Sequence, residues 1–231
     1  MTPGVGVIIV AAGVSQRLGI DKMLLPLGGK PLIAWSVDVC QTCDLVDKVV
    51  VVLNKNNFDP VAKLVISRGW SKVRLCLGGA RRQDSVRQGL NVLEECQWVV
   101  IHDGARPFLT PELIRCGLEA AGETGAAVAA VPAKDTIKLS SADMVVCETL
   151  PRDNVWIVQT PQVFRFDIIS NAHMVVKADV TDDAELIERS GGKVKLYVGS
   201  YKNIKVTTPE DLILVETIAK EQQDSASRFR I

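Results

Sequence analysis

The chain has 231 residues, of which 47% are hydrophobic, and its 27 basic residues balance 27 acidic ones. This length fits one large α/β domain, so we predict a single domain over residues 1–231. A net charge of zero lacks the broad basic surface of a nucleic-acid-binding protein, and no apolar run reaches bilayer length. We therefore expect neither a nucleic-acid nor a membrane partner. Because the N-terminus has no secretory leader pattern, we expect a cytoplasmic protein.

The cysteines include one close pair, Cys40-x-x-Cys43, which has the spacing of half a zinc site or of a redox pair. The pair falls on a segment whose apolar residues recur with helical period, and no second pair or histidine stands at ligand spacing from it. We interpret the six cysteines as free thiols in a reducing compartment.

In chain order, strand-like and helix-like segments alternate, which predicts a Rossmann-like, doubly wound α/β fold with a mostly parallel sheet. The predicted strands are Val5–Val10, Lys48–Leu53, Lys72–Leu77, Trp98–His102, Ala126–Val131 and Lys193–Val198. The predicted helices are Leu32–Cys43, Pro60–Arg68, Arg82–Glu94, Pro111–Ala121, Ile168–Val176, Asp182–Glu188 and Pro209–Ala219.

The alternation stops over residues 135–164, where two short strand-like runs flank a Ser-Ser-Ala-Asp turn. This pattern predicts an inserted β-hairpin arm. A hairpin cannot bury both of its faces alone, so it has to pack on its own domain or on another subunit. The polar tail from Glu221 is expected to be frayed.

The first predicted strand leads into a loop of small residues, Ala11-Ala12-Gly13, which is followed by two cations, Arg17 and Lys22. Bare backbone N–H groups and fixed positive charge at the carboxyl end of a strand are typical of a polyphosphate site. The sequence matches neither a Walker loop nor a dinucleotide fingerprint, because Pro31 follows Gly29-Lys30 and no G-x-G-x-x-G follows the strand. The alternative is an ordinary turn with both cations solvated.

Two more predicted strands end in polar segments, which we expect at the same edge of the sheet. Gly78-Gly79 precedes a helix with Arg82 and Ser85 in its first turn, and Asp103-Gly104-Ala105-Arg106 follows the next strand. Asp103 suits a hydrated Mg²⁺, which keeps most of its water; the alternative is a salt bridge to Arg106. Later candidates are Thr181, which has an equal claim as a helix N-cap, and Lys205, which needs an anion or an aqueous cleft.

In this order, the motifs resemble the 2-C-methyl-D-erythritol 4-phosphate cytidylyltransferase family over about residues 7–219. The matching segments are Ala11–Gly13 with Arg17 and Lys22, Gly78-Gly79 with Arg82 and Ser85, 102–107, Asp135-Thr136, 160–162, Thr181-Asp182 and 203–212. The chain departs from many members in having Ser15 in place of a glycine and a shorter stretch between Arg17 and Lys22.

The resemblance implies roles for sixteen residues. The CTP side would comprise Ala11, Ala12, Gly13, Gly79, Arg82 and Ser85, with Asp103, Gly104 and Arg106 at the ribose and the metal, which Asp103 would bind through water. Arg17 and Lys22 would bridge the phosphates and stabilise the transition state. The acceptor would contact Thr136, Thr160, Thr181, Lys205 and an Arg152 reaching in from the partner of an arm-exchanged homodimer. Arg17, Lys22, Arg152 and Lys205 are thus the candidate catalytic residues.

The expected reaction joins CTP and methylerythritol phosphate, gives 4-diphosphocytidyl-2-C-methyl-D-erythritol and releases pyrophosphate. A phosphate monoester is already a dianion near neutral pH and needs no general base, which fits a chain with two histidines. Positioned cations and Mg²⁺ would supply the catalysis. Three alternatives stay open: a cytidylyltransferase for another polyol phosphate such as ribitol 5-phosphate, a nucleotide-sugar enzyme of similar fold, and a non-catalytic nucleotide-binding module.

Overall fold

The computed structural model describes residues 4–13, 21–94 and 96–228. In these ranges the strands are β1 (Val5–Ala11), β2 (Pro26–Leu27), β3 (Lys30–Pro31), β4 (Lys48–Leu53), β5 (Val73–Leu77), β6 (Trp98–Asp103), β7 (Ala126–Pro132), β8 (Lys138–Ser140), β9 (Val146–Thr149), β10 (Trp156–Arg165) and β11 (Lys195–Val198). The helices are α1 (Leu32–Thr42), α2 (Phe58–Arg68), α3 (Arg82–Leu93), α4 (Pro111–Thr124), α5 (Phe166–Val175), α6 (Asp183–Arg189) and α7 (Pro209–Arg228).

Seven of these strands form one sheet in the order β11-β7-β10-β6-β1-β4-β5. Strand β10 runs antiparallel to both of its neighbours, β6 and β7, and every other pair in this sheet is parallel. The predicted mostly parallel α/β sheet is therefore confirmed. Because β1 lies between β6 and β4, the loops that follow these three strands meet at one edge.

Apolar side chains cover both faces of the sheet, because successive residues of a buried strand point to opposite faces. Val7 and Ile9 pack with the cluster that includes α1, α2, α4 and α7, whereas Ile8 packs with α3, α5 and α6. The long β-branched runs in β1 and β4 are thus explained by burial on both sides. The helices α3 and α6 lie on the same face, and both begin near the carboxyl edge of the sheet.

The hairpin of the predicted arm is present, since β8 and β9 pair with each other as a separate two-stranded sheet. The residues of both strands are exposed. The structure differs from the prediction at residues 156–164, which belong to β10 in the main sheet. Pro161 argues against a strand because proline lacks an N–H donor, and the structure accommodates it where the pairing of β10 with β7 shifts register, between Val158 and Gln162.

The last helix extends beyond the predicted end. Helix α7 runs to Arg228 rather than to Ala219, and contacts tie its last turns to the body of the protein. Gln223 donates a 2.6 Å hydrogen bond to the carbonyl of Gly28, and Lys202 pairs with Glu221 at 2.9 Å. Among the described helices, none is both long and apolar enough to cross a bilayer.

Candidate active site

A cavity of about 480 Å³ lies where the loops after β1, β4, β5 and β6 converge. It is lined by Val10, Ala11, Ala12, Gly13, Lys22, Met23, Asn54, Gly79, Ala80, Arg81, Arg82, Ser85, Asp103, Ala105 and Lys205. Of these, four carry positive charge and only Asp103 carries negative charge. The lining therefore favours an anion.

The loop before α3 packs tightly against the loop after β1. A Cβ atom on Gly78 would come within 2.5 Å of the Ala12 Cβ and 2.6 Å of the Ser85 Oγ, so no other residue fits there without displacing its neighbours. Ser85 Oγ accepts a 3.1 Å hydrogen bond from the N–H of Gly79 and donates one to the carbonyl of Arg81. These contacts hold the backbone of Gly79 at the cavity wall.

Three cations surround the carboxylate of Asp103 at the end of β6. Lys205 Nζ lies 2.9 Å from Oδ2, Arg82 Nε lies 3.4 Å from Oδ1, and Arg106 Nε lies 3.7 Å from Oδ2. Burial alone would raise the pKa of Asp103, but Arg82, Lys205 and Arg106 together lower it below its usual range. Asp103 is thus an ionised carboxylate at neutral pH.

Lys22 reaches the cavity from the short 3₁₀ turn at Lys22–Leu24, and its Nζ donates a 2.9 Å hydrogen bond to the carbonyl of Val206. Asp21 caps this turn, because its side chain accepts a 3.0 Å hydrogen bond from the N–H of Met23. The carbonyl of Val206 therefore holds the ammonium group at the cavity, and the Asp21 cap stabilises the turn that carries it.

A buried histidine orders the loop that carries Asp103. His102 Nε2 lies 2.9 Å from the carbonyl oxygen of Arg106, and its Nδ1 lies 3.1 Å from Thr160 Oγ1. Because a carbonyl only accepts, Nε2 carries the proton and Nδ1 accepts from the hydroxyl of Thr160. That hydroxyl in turn accepts a 3.0 Å hydrogen bond from the N–H of Asp103. The network requires a neutral imidazole.

We expect NMR titration to find a pKa of about 4 for His102, because complete burial outweighs the favourable neighbours of the protonated ring. His173 is the only other histidine, so a His173→Gln variant assigns the two signals. A pKa for His102 near the usual 6.5 would contradict the buried, neutral arrangement.

The same shift makes stability depend on pH. In the unfolded chain the ring takes up a proton near pH 6.5, and in the folded chain only near pH 4, so the contribution of His102 is complete above pH 6.5 and is lost as pH falls toward 4. The full effect is on the order of 3 kcal/mol in the free energy of unfolding. Urea unfolding across this pH range, with and without a His102→Gln replacement, measures it.

The structure brings nine of the sixteen predicted site residues into the cavity lining: Ala11, Ala12, Gly13, Lys22, Gly79, Arg82, Ser85, Asp103 and Lys205. Lys205 lies on the loop after β11. The sequence predicted that this lysine needs an anion or an aqueous cleft, and its ammonium pairs with the carboxylate of Asp103.

Six of the other predicted residues lie outside the lining, and Arg17 lies outside the described residues. Two of the six, Thr160 and Gly104, are buried outside the cavity lining. Arg106 also lies outside the lining, and its guanidinium donates a 2.7 Å hydrogen bond to the carbonyl of Asn203. Thr136, Arg152 and Thr181 are exposed. Thr181 Oγ1 lies 2.9 Å from Glu185 Oε2, so its hydroxyl bonds within the first turn of α6, as the alternative capping role implies. The roles of these seven residues in binding or catalysis stay predictions.

Three polar residues at the lining or directly behind it were not among the sixteen predicted site residues: Asn54, Arg81 and Asp183. Asn54 directly follows β4. Selecting every residue that follows a parallel strand would therefore have included it. Arg81 stands beside the chosen Arg82 and pairs with Asp84 at 2.9 Å. Asp183 is completely buried and pairs with Arg82 at 2.6 Å, a contact between residues distant in the chain that no local pattern shows.

An open α/β sheet with a small-residue loop and fixed cations at its carboxyl edge is typical of a protein that binds the phosphates of a nucleotide. A sequence profile of the 2-C-methyl-D-erythritol 4-phosphate cytidylyltransferase family matches residues 5–221. The chain belongs to this family of CTP-dependent enzymes, so the resemblance seen in the sequence and the predicted fold and enzyme class are confirmed.

Relatives of known name support the assignment along nearly the whole chain. A 2-C-methyl-D-erythritol 4-phosphate cytidylyltransferase from Dehalococcoides mccartyi is 49% identical over 94% of this chain and 96% of its own length. Among solved structures, a 4-diphosphocytidyl-2C-methyl-D-erythritol synthase from Anaerococcus prevotii superimposes with a TM-score of 0.85 at 30% identity, covering 94% of this chain and 96% of that one. The cytidylyltransferase from Thermus thermophilus gives a TM-score of 0.77 at 30% identity, covering 92% of this chain and 98% of that one.

Proposed function

We propose that this protein transfers CMP from CTP to 2-C-methyl-D-erythritol 4-phosphate and releases pyrophosphate, as a step of non-mevalonate isoprenoid biosynthesis. The observation that carries the proposal is the cavity itself, in which Lys205 pairs with the ionised Asp103, and Lys22 and the backbone of Ala11–Gly13 belong to the same lining. The names of the relatives and the family give the substrate, and the cavity gives the charge arrangement that the reaction needs.

The chemistry follows from the charges of the reactants. The acceptor phosphate attacks the α-phosphorus of CTP, a new P–O bond forms, and the bond to the β-phosphate oxygen breaks with its electron pair leaving on pyrophosphate. Both reactants are anions, so their repulsion and the charge on the departing pyrophosphate are the main barriers. Lys22 and Lys205 supply fixed positive charge, and their preorganised position costs no rearrangement during the reaction.

The residues present fit a Mg²⁺ ion bound with the nucleotide. Mg²⁺ takes one or two carboxylates, keeps several waters and completes its shell with substrate phosphates, and Asp103 is an ionised carboxylate at the cavity wall. We infer that Asp103 would hold the ion through water. When bound, the metal neutralises phosphate charge; Asp103 and its neighbouring cations keep the site oriented.

We infer a homodimer in which the arm of one chain reaches the acceptor side of its partner. The apolar side chains of Leu139, Val145 and Val146 on the arm are exposed within one chain, as are Met144 and Ile157. Apolar side chains that are exposed together in this way are typical of a surface that binds another protein surface. The predicted exchange would bury Ile137, Leu139, Val145 and Leu150 against a twofold-related copy.

A cytoplasmic location is also proposed, and the cysteines support it. All six lie in described ranges, and each is a free thiol. Cys40 and Cys43 are both buried in α1 and at its end, and burial raises the pKa of the Cys40 thiol well above its usual value. Unreactive thiols in a core are typical of proteins from reducing compartments.

Pyrophosphate release tests the function directly. With CTP and Mg²⁺, we expect a higher kcat/KM for 2-C-methyl-D-erythritol 4-phosphate than for ribitol 5-phosphate, since the acceptor side has to pair its polar groups with the correct hydroxyls. The reverse order would favour the other polyol phosphate. CTP binding without pyrophosphate release from any acceptor would instead favour a non-catalytic module.

A further inference from the structure

The buried carboxylate of Asp183 makes a contact that the mechanism above does not use. Asp183 begins α6, its residue is completely buried, and its Oδ2 lies 2.6 Å from a terminal nitrogen of the Arg82 guanidinium. A buried carboxylate is costly unless a positive partner compensates it. Arg82 is that partner, and the same guanidinium faces Asp103 through Nε.

The local structure presents Asp183 to Arg82 in one orientation. Gln162 of β10 donates a 2.8 Å hydrogen bond to Asp182 Oδ2 and accepts one of 3.2 Å from the N–H of Ala184. Asp182 caps the helix by accepting a 3.0 Å hydrogen bond from the N–H of Glu185. The residues on both sides of Asp183 are therefore fixed, and its side chain points into the core.

His173, the neighbouring histidine, does not hydrogen-bond to Asp183, whereas Arg82 does. His173 Nε2 lies 3.9 Å from Asp183 Oδ1, beyond hydrogen-bond length, and neither atom has a hydrogen-bond partner among the residues that the structure describes. Burial lowers the pKa of His173 in spite of the nearby carboxylate, so the ring is neutral near pH 7. Arg82 thus supplies the positive charge for this carboxylate.

A guanidinium is planar, so fixing one of its edges fixes the others. Asp183 holds a terminal nitrogen of Arg82, and Asp103 holds Nε, so the plane is set between two carboxylates contributed by α6 and β6. Lys205 lies on the other side of Asp103 and completes a row of alternating charge. The row runs from the interior of the protein to the cavity wall.

We propose that Asp183 is a positioning residue for the nucleotide, acting through Arg82. Together with Asp103, it holds the guanidinium at the cavity wall in the orientation that receives the phosphates of CTP. This inference rests on the proposed function, because it assumes that the cavity binds CTP.

The Asp183→Asn variant tests the proposal, because the amide keeps the shape of the side chain and removes its charge. We expect KM for CTP to rise about 10-fold or more, with a smaller change in kcat, because the negative charge that pairs with Arg82 and orients it is lost. Asp182→Asn is the matched control: it neutralises the adjacent carboxylate, which caps α6 and does not contact Arg82, and asparagine is an equally good cap. The control should keep the wild-type KM.

A double-mutant cycle separates positioning from a general loss of structure. In an Arg82→Ala background, adding Asp183→Asn should change kcat/KM by less than about 2-fold, since the residue through which Asp183 acts is gone. The same addition should raise the Tm of Arg82→Ala, because it removes a buried, unpaired carboxylate. If either variant fails to fold, Arg82→Gln replaces Arg82→Ala, since glutamine also lacks the charge, and Asp183→Ser replaces Asp183→Asn.

Two results would overturn the inference. One is a wild-type KM for CTP in a folded Asp183→Asn protein. The other is an equal loss of kcat/KM on adding Asp183→Asn to either background, which would mean that Asp183 acts only on the fold. A wild-type protein that forms no product from CTP and any polyol phosphate would refute the proposed function instead.

Discussion

Replacing Lys22 with alanine is expected to reduce turnover by about 10²-fold or more, because it removes a preorganised positive charge from the transition state. The ammonium is placed before substrate arrives, through its 2.9 Å hydrogen bond to the carbonyl of Val206 and the capped turn on which it stands. The affinity for CTP should fall far less than turnover, since the charge that Lys22 stabilises develops mainly as pyrophosphate leaves. Rapid-quench measurement of a single turnover, together with the Kd for CTP, resolves the two effects.

Arg17→Ala is expected to behave like Lys22→Ala, because the resemblance assigns the two cations to the same phosphates. Lys63→Ala is the control, as Lys63 is an exposed lysine of α2 that does not line the cavity. Near-normal turnover in both Arg17→Ala and Lys22→Ala would mean that neither residue takes part in the chemistry. A loss of CTP binding equal to the loss of turnover would place them in ground-state binding alone.

The sequence was sufficient to predict the half of the site that depends on strand ends. Burial of β1, β4 and β6 on both faces leaves long apolar runs, so their carboxyl ends are easily located, and parallel strands bring those ends together. This reasoning placed Gly13, after β1, and Asp103, after β6, beside one another, and the structure has both in the cavity lining.

Contacts between distant residues could not be predicted in the same way. The pairing of Asp183 with Arg82 depends on how α6 and α3 pack on the same face of the sheet, and nothing in the local sequence of α6 distinguishes Asp183 from the capping Asp182. Strand β10 was missed for a different reason. Its Pro161 is a signal against a central strand, and only the register shift beside β7 allows the chain to pass through that position.

The arm provides the second large effect that we expect, because Arg152 is predicted to act in the partner's site. Within one chain, its guanidinium donates a 3.2 Å hydrogen bond to the carbonyl of Lys134, and its side chain is exposed. Among the described residues, the cavity lining contains none between 106 and 204, so the arm contributes nothing to the cavity of its own chain. An exposed arginine on an arm with exposed apolar residues is well placed to bind a phosphate of a neighbouring subunit bidentately.

Mixing inactive Arg152→Ala with inactive Lys22→Ala subunits should therefore restore activity. In a mixed dimer, one site combines both substitutions, and the other receives an intact Lys22 from its own chain and an intact Arg152 from its partner. Random reassortment makes half of the dimers mixed, so recovery should approach about a quarter of wild-type specific activity. The matched control pairs Lys22→Ala with Lys205→Ala, since both lysines line the cavity of one chain and no mixed dimer regains a complete site. If the first pair recovers no activity although native mass spectrometry detects mixed dimers, Arg152 acts within its own chain or outside the chemistry.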